Sequence, residues 1–126
     1  MKIMYYVLIA GALGAMARYG TRLFITDRYN ILLVNIIGSF LLVIVFDYFG
    51  EKNILSSEAC GAVGTGFIGA FTTFSAFSYE NVSLFLSGYR TEALVYSVTC
   101  LLGGLLAAAA GMSLCHLLLR GRKEAE

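Results

Sequence analysis

Proline is absent from this chain, and charged residues are scarce. Without proline, any break inside a helix must come from glycine and hydroxyl-bearing residues. Charged residues make up 13% of the chain and hydrophobic residues 59%, whereas a soluble domain carries roughly 25% charged residues. The scarcity of charge excludes an ordinary soluble domain and predicts a chain that mostly faces lipid or lies buried between helices.

Cysteine and histidine are too few and too scattered for a metal centre or a disulfide framework. The three cysteines, Cys60, Cys100 and Cys115, lie in apolar segments and lack the closely spaced pairs that such sites need. We interpret them as small buried residues, and the single histidine, His116, as an interfacial side chain. A net charge of +1 gives no electrostatic case for a nucleic-acid partner. The sequence also lacks a pairing of nucleophile and base, which argues against an enzyme.

Four apolar stretches account for most of the sequence. Because a spanning helix needs about 20 mostly apolar residues, we predict helices over residues 3–25, 31–49, 58–79 and 93–119, joined by short loops. These predict a single all-α transmembrane domain, 1–126. Small residues recur every four positions at Gly103, Ala107 and Gly111, a spacing that lets another helix approach closely.

The distribution of basic residues shows almost no bias that would fix the orientation of the chain in the membrane. With four spans, one side holds five of them: Lys2, Lys52, Arg120, Arg122 and Lys123. The opposite side holds four: Arg18, Arg22, Arg28 and Arg90. Since the excess of Lys and Arg normally fixes orientation, so small a difference is compatible with insertion in both directions and with an antiparallel homodimer. A singly oriented protein with a weak bias is the alternative.

The third predicted span is interrupted by a polar, glycine-rich run over residues 64–78 (GTGFIGAFTTFSAFS). Irregular backbone at membrane depth is tolerated only where it is buried in protein or lines a wet cavity. Thr72, Ser75 and Ser78 recur every three residues, as do Phe74 and Phe77, so each set would share one face of a helix. Hydroxyl donors and the positive edges of phenylalanine rings suit an anion pathway. The alternative is that the hydroxyls bond to their own helix and the rings only pack.

Two further polar residues have both a structural and a functional interpretation. Asn35 lies among aliphatic residues near the predicted start of span two, where it would form an interhelical hydrogen bond or donate to an ion at a pore mouth. Arg18 lies near the end of span one, where it would snorkel to the interface or attract anions to a vestibule.

Acidic residues are missing from the middle of every predicted span. Asp47, Glu58 and Glu80 all fall near the predicted ends. A proton-coupled cation exporter needs a central carboxylate, and a small dual-topology multidrug or cation transporter would carry one in span one. That transporter is the alternative function, and a purely structural subunit, whose polar groups only hold helices together, is a third.

Three segments together resemble the Fluc/CrcB family of fluoride channels. They are residues 11–19 (GALGAMARY), 33–40 (LVNIIGSF) and 66–78 (GFIGAFTTFSAFS). They occur in the family's order and spacing, and the third is the most specific. The resemblance implies a passive, fluoride-selective channel that exports cytoplasmic fluoride across the bacterial inner membrane. It also implies an antiparallel, dual-topology homodimer with two pores, each lined by both subunits.

The resemblance also implies roles for individual residues. It makes Phe74 and Phe77 the aromatic pair along the anion path, Asn35 the pore amide and Tyr96 a pore-facing tyrosine. The expected anion pathway comprises Arg18, Asn35, Phe74, Ser75, Phe77 and Tyr96. The backbone carbonyls of Gly69 and Thr72 would bind a central structural sodium ion shared between subunits. One turn after Tyr96 the family usually has a hydroxyl, whereas this chain has Cys100, a weaker donor.

Overall fold

The computed structural model describes residues 2–25 and 28–123, and those residues contain helices and turns but no strand. Two of the helical segments are π-helical, here named π1 and π2. In chain order the segments are α1 (Lys2–Thr21), α2 (Arg28–Val43), π1 (Ile44–Gly50), α3 (Ser57–Gly61), π2 (Ala62–Ile68), α4 (Gly69–Phe71), α5 (Phe74–Leu86) and α6 (Arg90–Lys123).

Four continuous or nearly continuous helical stretches are long and apolar enough to cross a membrane. They are Lys2–Thr21, Arg28–Gly50, Ser57–Leu86 and Arg90–Arg120. This confirms the predicted all-α membrane fold with four spans and a broken third span. The first span is shorter than predicted because α1 ends at Thr21. The second starts earlier, at Arg28, so Asn35 lies seven residues into α2 and not in its first turn.

The third span extends beyond its predicted end at residue 79, to Leu86. The first half of the span ends at Phe71, where the helix is interrupted. The second half consists of the full length of α5. Glu80 lies in the middle of α5, six residues before the end of the third span. The first span, in contrast, contains no acidic residue, as predicted.

Glycines bring α1 into backbone contact with π2. A Cβ on Gly66 would lie 2.8 Å from the carbonyl oxygen of Val7, and a Cβ on Gly14 would lie 2.9 Å from the carbonyl carbon of Phe67. Both distances are too short for a real side chain, so only glycine permits this approach. Since helices in lipid associate through close van der Waals packing, these glycines hold the interrupted span against α1.

Gly14→Ala is expected to destabilise the folded protein because its new methyl group would overlap the backbone of π2, which cannot move aside as a side chain can. Overpacking of this kind costs about 1–3 kcal/mol. Gly20→Ala is the matched control on the same helix, since nothing lies within 4 Å of a Cβ there. Thermal unfolding in detergent should show a lower midpoint for Gly14→Ala only. Equal midpoints for the two variants would contradict the inferred contact.

The predicted small-residue face of the last span packs against α2. A Cβ on Gly103 would meet Ile36 at 2.7 Å, and one on Gly111 would meet the Phe40 carbonyl oxygen at 3.1 Å. At the other end of this pair, Arg28 and Glu92 form an ion pair with an N–O distance of 3.0 Å. Helices α2 and α6 therefore form a fixed frame beside the interrupted span.

Candidate functional site

The interruption of the third span consists of two threonines in extended conformation. Thr72 has φ −76° and ψ 163°, and Thr73 has φ −152° and ψ 119°. The hydroxyl of Thr73 accepts a hydrogen bond from the Ala76 amide at 3.2 Å, which caps the first turn of α5. A threonine that caps a helix competes with continuation of the preceding helix, so the break forms without proline.

Asn35 on α2 binds the backbone of Thr73 in both directions. The Thr73 amide donates to Asn35 Oδ1 at 2.8 Å, and Asn35 Nδ2 donates to the Thr73 carbonyl oxygen at 3.1 Å. Thr73 is only 7% exposed, so the first of these bonds satisfies an amide that the break removes from helical pairing. We name this paired contact the amide clamp. An amide NH₂ has two donor hydrogens, so the clamp leaves one for a ligand.

The carbonyl oxygens on the N-terminal side of the break accept long hydrogen bonds from side chains. The Thr72 hydroxyl donates to the Ile68 carbonyl oxygen at 3.1 Å, with the Gly69 carbonyl oxygen at 3.3 Å. Arg18 Nη1 donates to the Thr72 carbonyl oxygen at 3.4 Å. Arg18 therefore reaches inward to the break, although it lies in the last turn of α1.

A cavity of about 280 Å³ opens beside the break, and half of the predicted site residues line it. Its lining includes Asn35, Gly69, Thr72 and Phe74, together with residues from the middle of α2. The Phe74 side chain is 79% exposed at this position. Two residues of the break, an asparagine and a phenylalanine thus meet at one opening.

A second cavity, of about 330 Å³, lies on the other side of Thr73. Arg18, Arg22 and Ser75 line it, together with Thr73 itself. The Ser75 and Thr73 hydroxyl oxygens are 3.3 Å apart. Arg18 and Arg22 are the charged side chains among the described residues that line it, and their charge favours an anion. We call the first opening the break cavity and the second the arginine cavity.

Three aromatic rings continue from the break cavity toward α6. The ring centroids of Phe74 and Phe77 are 5.9 Å apart, and those of Phe77 and Tyr96 are 5.4 Å apart. Tyr96 is only 7% exposed and borders a third cavity of about 340 Å³ between α2 and α6. The predicted site residues therefore form one connected set, with Arg18 and Ser75 at one end and Tyr96 at the other.

One part of the predicted pattern is wrong. Thr72 does not share a helical face with Ser75 and Ser78, because its backbone is extended and α5 begins only at Phe74. Phe74 and Phe77 do lie on the same helix, and so do Ser75 and Ser78. The hydroxyl residues that recur every three positions thus comprise Thr72, which lies at the break, and Ser75 and Ser78, which lie on a helix.

Sequence reasoning missed Thr73, Arg22 and Asn30. Thr73 precedes an apolar helical segment, which is the usual signal of an N-cap, and this signal could have distinguished it from Thr72. Asn30 was assigned to a loop, but it is 2% exposed in the first turn of α2 and donates to the Thr21 hydroxyl at 2.8 Å. Its burial depends on contacts between spans and has no local sequence signal.

These features define a multi-pass helical membrane protein with an interrupted span, the arrangement in which membrane proteins place ion and substrate sites. The chain belongs to the CrcB family, because the family model described as "CrcB-like protein, Camphor Resistance (CrcB)" matches residues 5–112.

Relatives over nearly the full length have names that refer to one ion. The chain is similar to "Fluoride-specific ion channel FluC 1" of Bacillus cereus, with 38% identity over 94% of this chain and 92% of the relative. It is also similar to "Fluoride-specific ion channel FluC 2" of Listeria innocua, with 42% identity over 91% of this chain and 92% of the relative. A third, FluC 1 of Desulfitobacterium hafniense, is 46% identical over 73% of this chain and 84% of the relative. These names denote bacterial channels and not enzymes.

Proposed function

We propose that this protein is a passive fluoride channel of the bacterial inner membrane that lets fluoride leave the cytoplasm. The main supporting observation is the amide clamp at the break. It fixes Thr73, which borders both cavities, beside an amide, hydroxyls and the Phe74 ring, and the Phe77 ring lies 5.9 Å from that of Phe74. Membership of the CrcB family and the names of the relatives support fluoride as the ion.

The residues around the break have the chemistry that a small anion requires. Fluoride enters a narrow site only if hydrogen-bond donors replace its water, as in other selective filters. Arg18 and Arg22 would raise the local anion concentration in the arginine cavity. Ser75 and Asn35 offer neutral donors, and the ring edges of Phe74 and Phe77 offer partial positive charge. The first turn of α5 adds its positive helix end.

We propose further that two chains assemble as an antiparallel homodimer with two pores. The break cavity is an open cleft in one chain, and Phe74 at its edge is 79% exposed. Four helices leave little room to enclose a path, so a second copy is needed to cover it. The near balance of basic residues, five against four, is compatible with opposite insertion of the two copies.

Dual topology has its own test. A tag that is joined to the C-terminus through a protease site reports the orientation. Protease added outside sealed right-side-out vesicles should remove the tag from about half of the molecules. Complete cleavage or complete protection would show a single orientation and contradict the antiparallel dimer.

A structural sodium ion at the Gly69 and Thr72 carbonyls is also part of the proposal. Both residues line the break cavity, and carbonyl oxygens at the C-terminal end of a helix suit a hard cation. Two oxygens from one chain are too few for such an ion, so equivalent oxygens from a second copy would complete the set. A bound cation would replace the 3.4 Å contact that Arg18 makes with the Thr72 carbonyl. The ion would hold the break together and offset the charge of a nearby anion.

Fluoride efflux from liposomes tests the proposed function. Vesicles loaded with potassium fluoride and made permeable to potassium should release fluoride when the protein is present. Chloride-loaded vesicles should release their anion at least about a hundredfold more slowly, which corresponds to about 2.7 kcal/mol of selectivity. Equal rates for the two anions would overturn the selectivity. An absence of efflux for both would favour the purely structural role.

The transporter alternative makes a different prediction in the same assay. A proton-coupled exporter would move its substrate only with a proton gradient, whereas a passive channel conducts without one. Glu80 lies inside α5, so an acid is present within the third span, but the first span has none. Efflux that is independent of an imposed pH gradient would exclude the exporter.

A further inference from the structure

We propose that Glu92 limits the attraction of anions to the Tyr96 end of the path by neutralising Arg28. Arg28 is a cation that would draw fluoride to this end, and Glu92 holds it in an ion pair. The inference rests on the proposed channel function and assigns to two further residues a part in setting the rate of conduction. Glu92 acts through Arg28, so it is a positioning residue and does not itself touch the ion.

The Arg28–Glu92 pair lies between two cavities. Arg28 Nη1 donates a hydrogen bond to Glu92 Oε2 at 3.0 Å. Both residues line the cavity of about 340 Å³ that borders Tyr96, and both also line a cavity of about 490 Å³ that Ser83 and Ser87 border. We call the first the tyrosine cavity and the second the serine cavity. The ion pair therefore forms part of the boundary between them.

The pair also lies where the path would leave the protein. Tyr96 ends the series of rings that begins at Phe74 and is only 7% exposed. The side chains of Arg28 and Glu92 are 41% and 53% exposed, and both residues lie in the first turn of their helices. An ion that passed the rings toward α6 would therefore meet the pair before it reached water.

The two ends of the proposed path differ in charge. The arginine cavity is lined by Arg18 and Arg22. Among the residues that the structure describes, Arg28 and Glu92 are the charged side chains that line the other two cavities, and their charges cancel. Glu80 on α5 also acts electrostatically on Arg28, but the hydrogen bond of Arg28 is with Glu92. Since a channel must bind its ion weakly enough to release it, the neutral end is suited to release.

Stability gives little reason for this ion pair. Both side chains are about half exposed, and water and salt screen such pairs, so they contribute little to folding. Close contacts of Gly103 and Gly111 with α2 hold the same two helices together. Removal of either charge should therefore leave the fold intact, and a change in conduction can be attributed to charge.

The test measures the unitary fluoride current of single channels in planar bilayers at low fluoride concentration and low ionic strength. Glu92→Gln is expected to raise the current about fivefold, because Arg28 then attracts anions without a neutralising partner. Arg28→Gln is expected to lower the current about fivefold, because the remaining carboxylate repels anions. The double variant lacks both charges and should return to within about twofold of wild type.

Opposite signs in the two single variants separate an electrostatic role from a structural one. Both variants lose the ion pair, so a loosened contact between α2 and α6 would change the current in the same direction. An impermeant salt at about 1 M shortens the screening length to about 3 Å and should bring both variants close to wild type. Glu58→Gln is the matched control, because it removes the same charge at a cavity whose lining residues lie outside the predicted anion pathway. Its current should equal that of wild type.

Several results would overturn the inference. They are changes of the same sign in the two single variants, a double variant that differs from wild type as much as either single one, and an increase in Glu58→Gln equal to that in Glu92→Gln. Equal currents in all of the proteins would also overturn it, while the channel function would stand. An absence of fluoride current in wild type would contradict the channel function itself, and this inference with it.

Discussion

Replacing Phe74 by isoleucine is expected to lower fluoride efflux by about a hundredfold, which corresponds to about 2.7 kcal/mol at the barrier. The ring is 79% exposed at the edge of the break cavity, and its centroid lies 5.9 Å from that of Phe77. Isoleucine keeps an apolar side chain but lacks the positive ring edge that can face an anion. The measurement is the initial rate of efflux from liposomes at equal amounts of reconstituted protein.

Phe85→Ile is the matched control for Phe74→Ile. Phe85 is also on α5 and is 53% exposed, but it lies more than two turns beyond Phe77, and its ring contacts the Arg90 guanidinium at 5.2 Å. Efflux through this variant should stay within about threefold of wild type. An equal loss in both variants would attribute the effect to general packing, and unchanged efflux in Phe74→Ile would remove the role assigned to that ring.

Replacing Asn35 by leucine is expected to abolish most efflux and to destabilise the protein. The substitution keeps a similar volume but removes the amide clamp, so the Thr73 amide at the break loses its partner. Each unpaired buried group costs about 1–3 kcal/mol. Efflux per folded protein should fall at least about tenfold, and the midpoint of thermal unfolding in detergent should fall with it.

Asn81→Leu separates the functional role of Asn35 from simple attachment between helices. Asn81 is a second intramembrane amide, and its Nδ2 donates to the Ser97 hydroxyl and to the Ala93 carbonyl oxygen at 3.3 Å. It joins α5 to α6 away from the break. Its replacement should lower stability while efflux per folded protein stays near that of wild type. Full efflux in Asn35→Leu, or equal losses in both variants, would count against the clamp as part of the conducting site.

The long apolar runs allowed the four spans to be predicted because burial in lipid depends on composition over about 20 residues. The break was predictable for a related reason, since glycine and hydroxyl residues are conspicuous in a chain without proline. The capping residue was harder to identify, because Thr72 and Thr73 are adjacent and only Thr73 directly precedes the helical segment; its contact with Asn35 on α2 then fixes it in place.

The contacts that the sequence could not supply concern register between helices. Glu80 was expected near a span end, and it lies in the middle of α5, six residues before the third span ends at Leu86. Arg18 was interpreted either as a snorkelling side chain or as one that attracts anions, and its side chain reaches the Thr72 carbonyl on another span. Such contacts depend on how far one helix is shifted along its neighbour, and this shift is set by the glycine contacts between α1 and π2.

The partner that Thr73 needs lies 38 residues earlier in the chain. A ribosome therefore delivers Asn35 to the bilayer before the two threonines emerge, and the unpaired backbone of the break meets an amide that is already in place. Exposure of that backbone to hydrocarbon would be costly at any stage. The order of synthesis thus protects the polar break in the third span during its insertion.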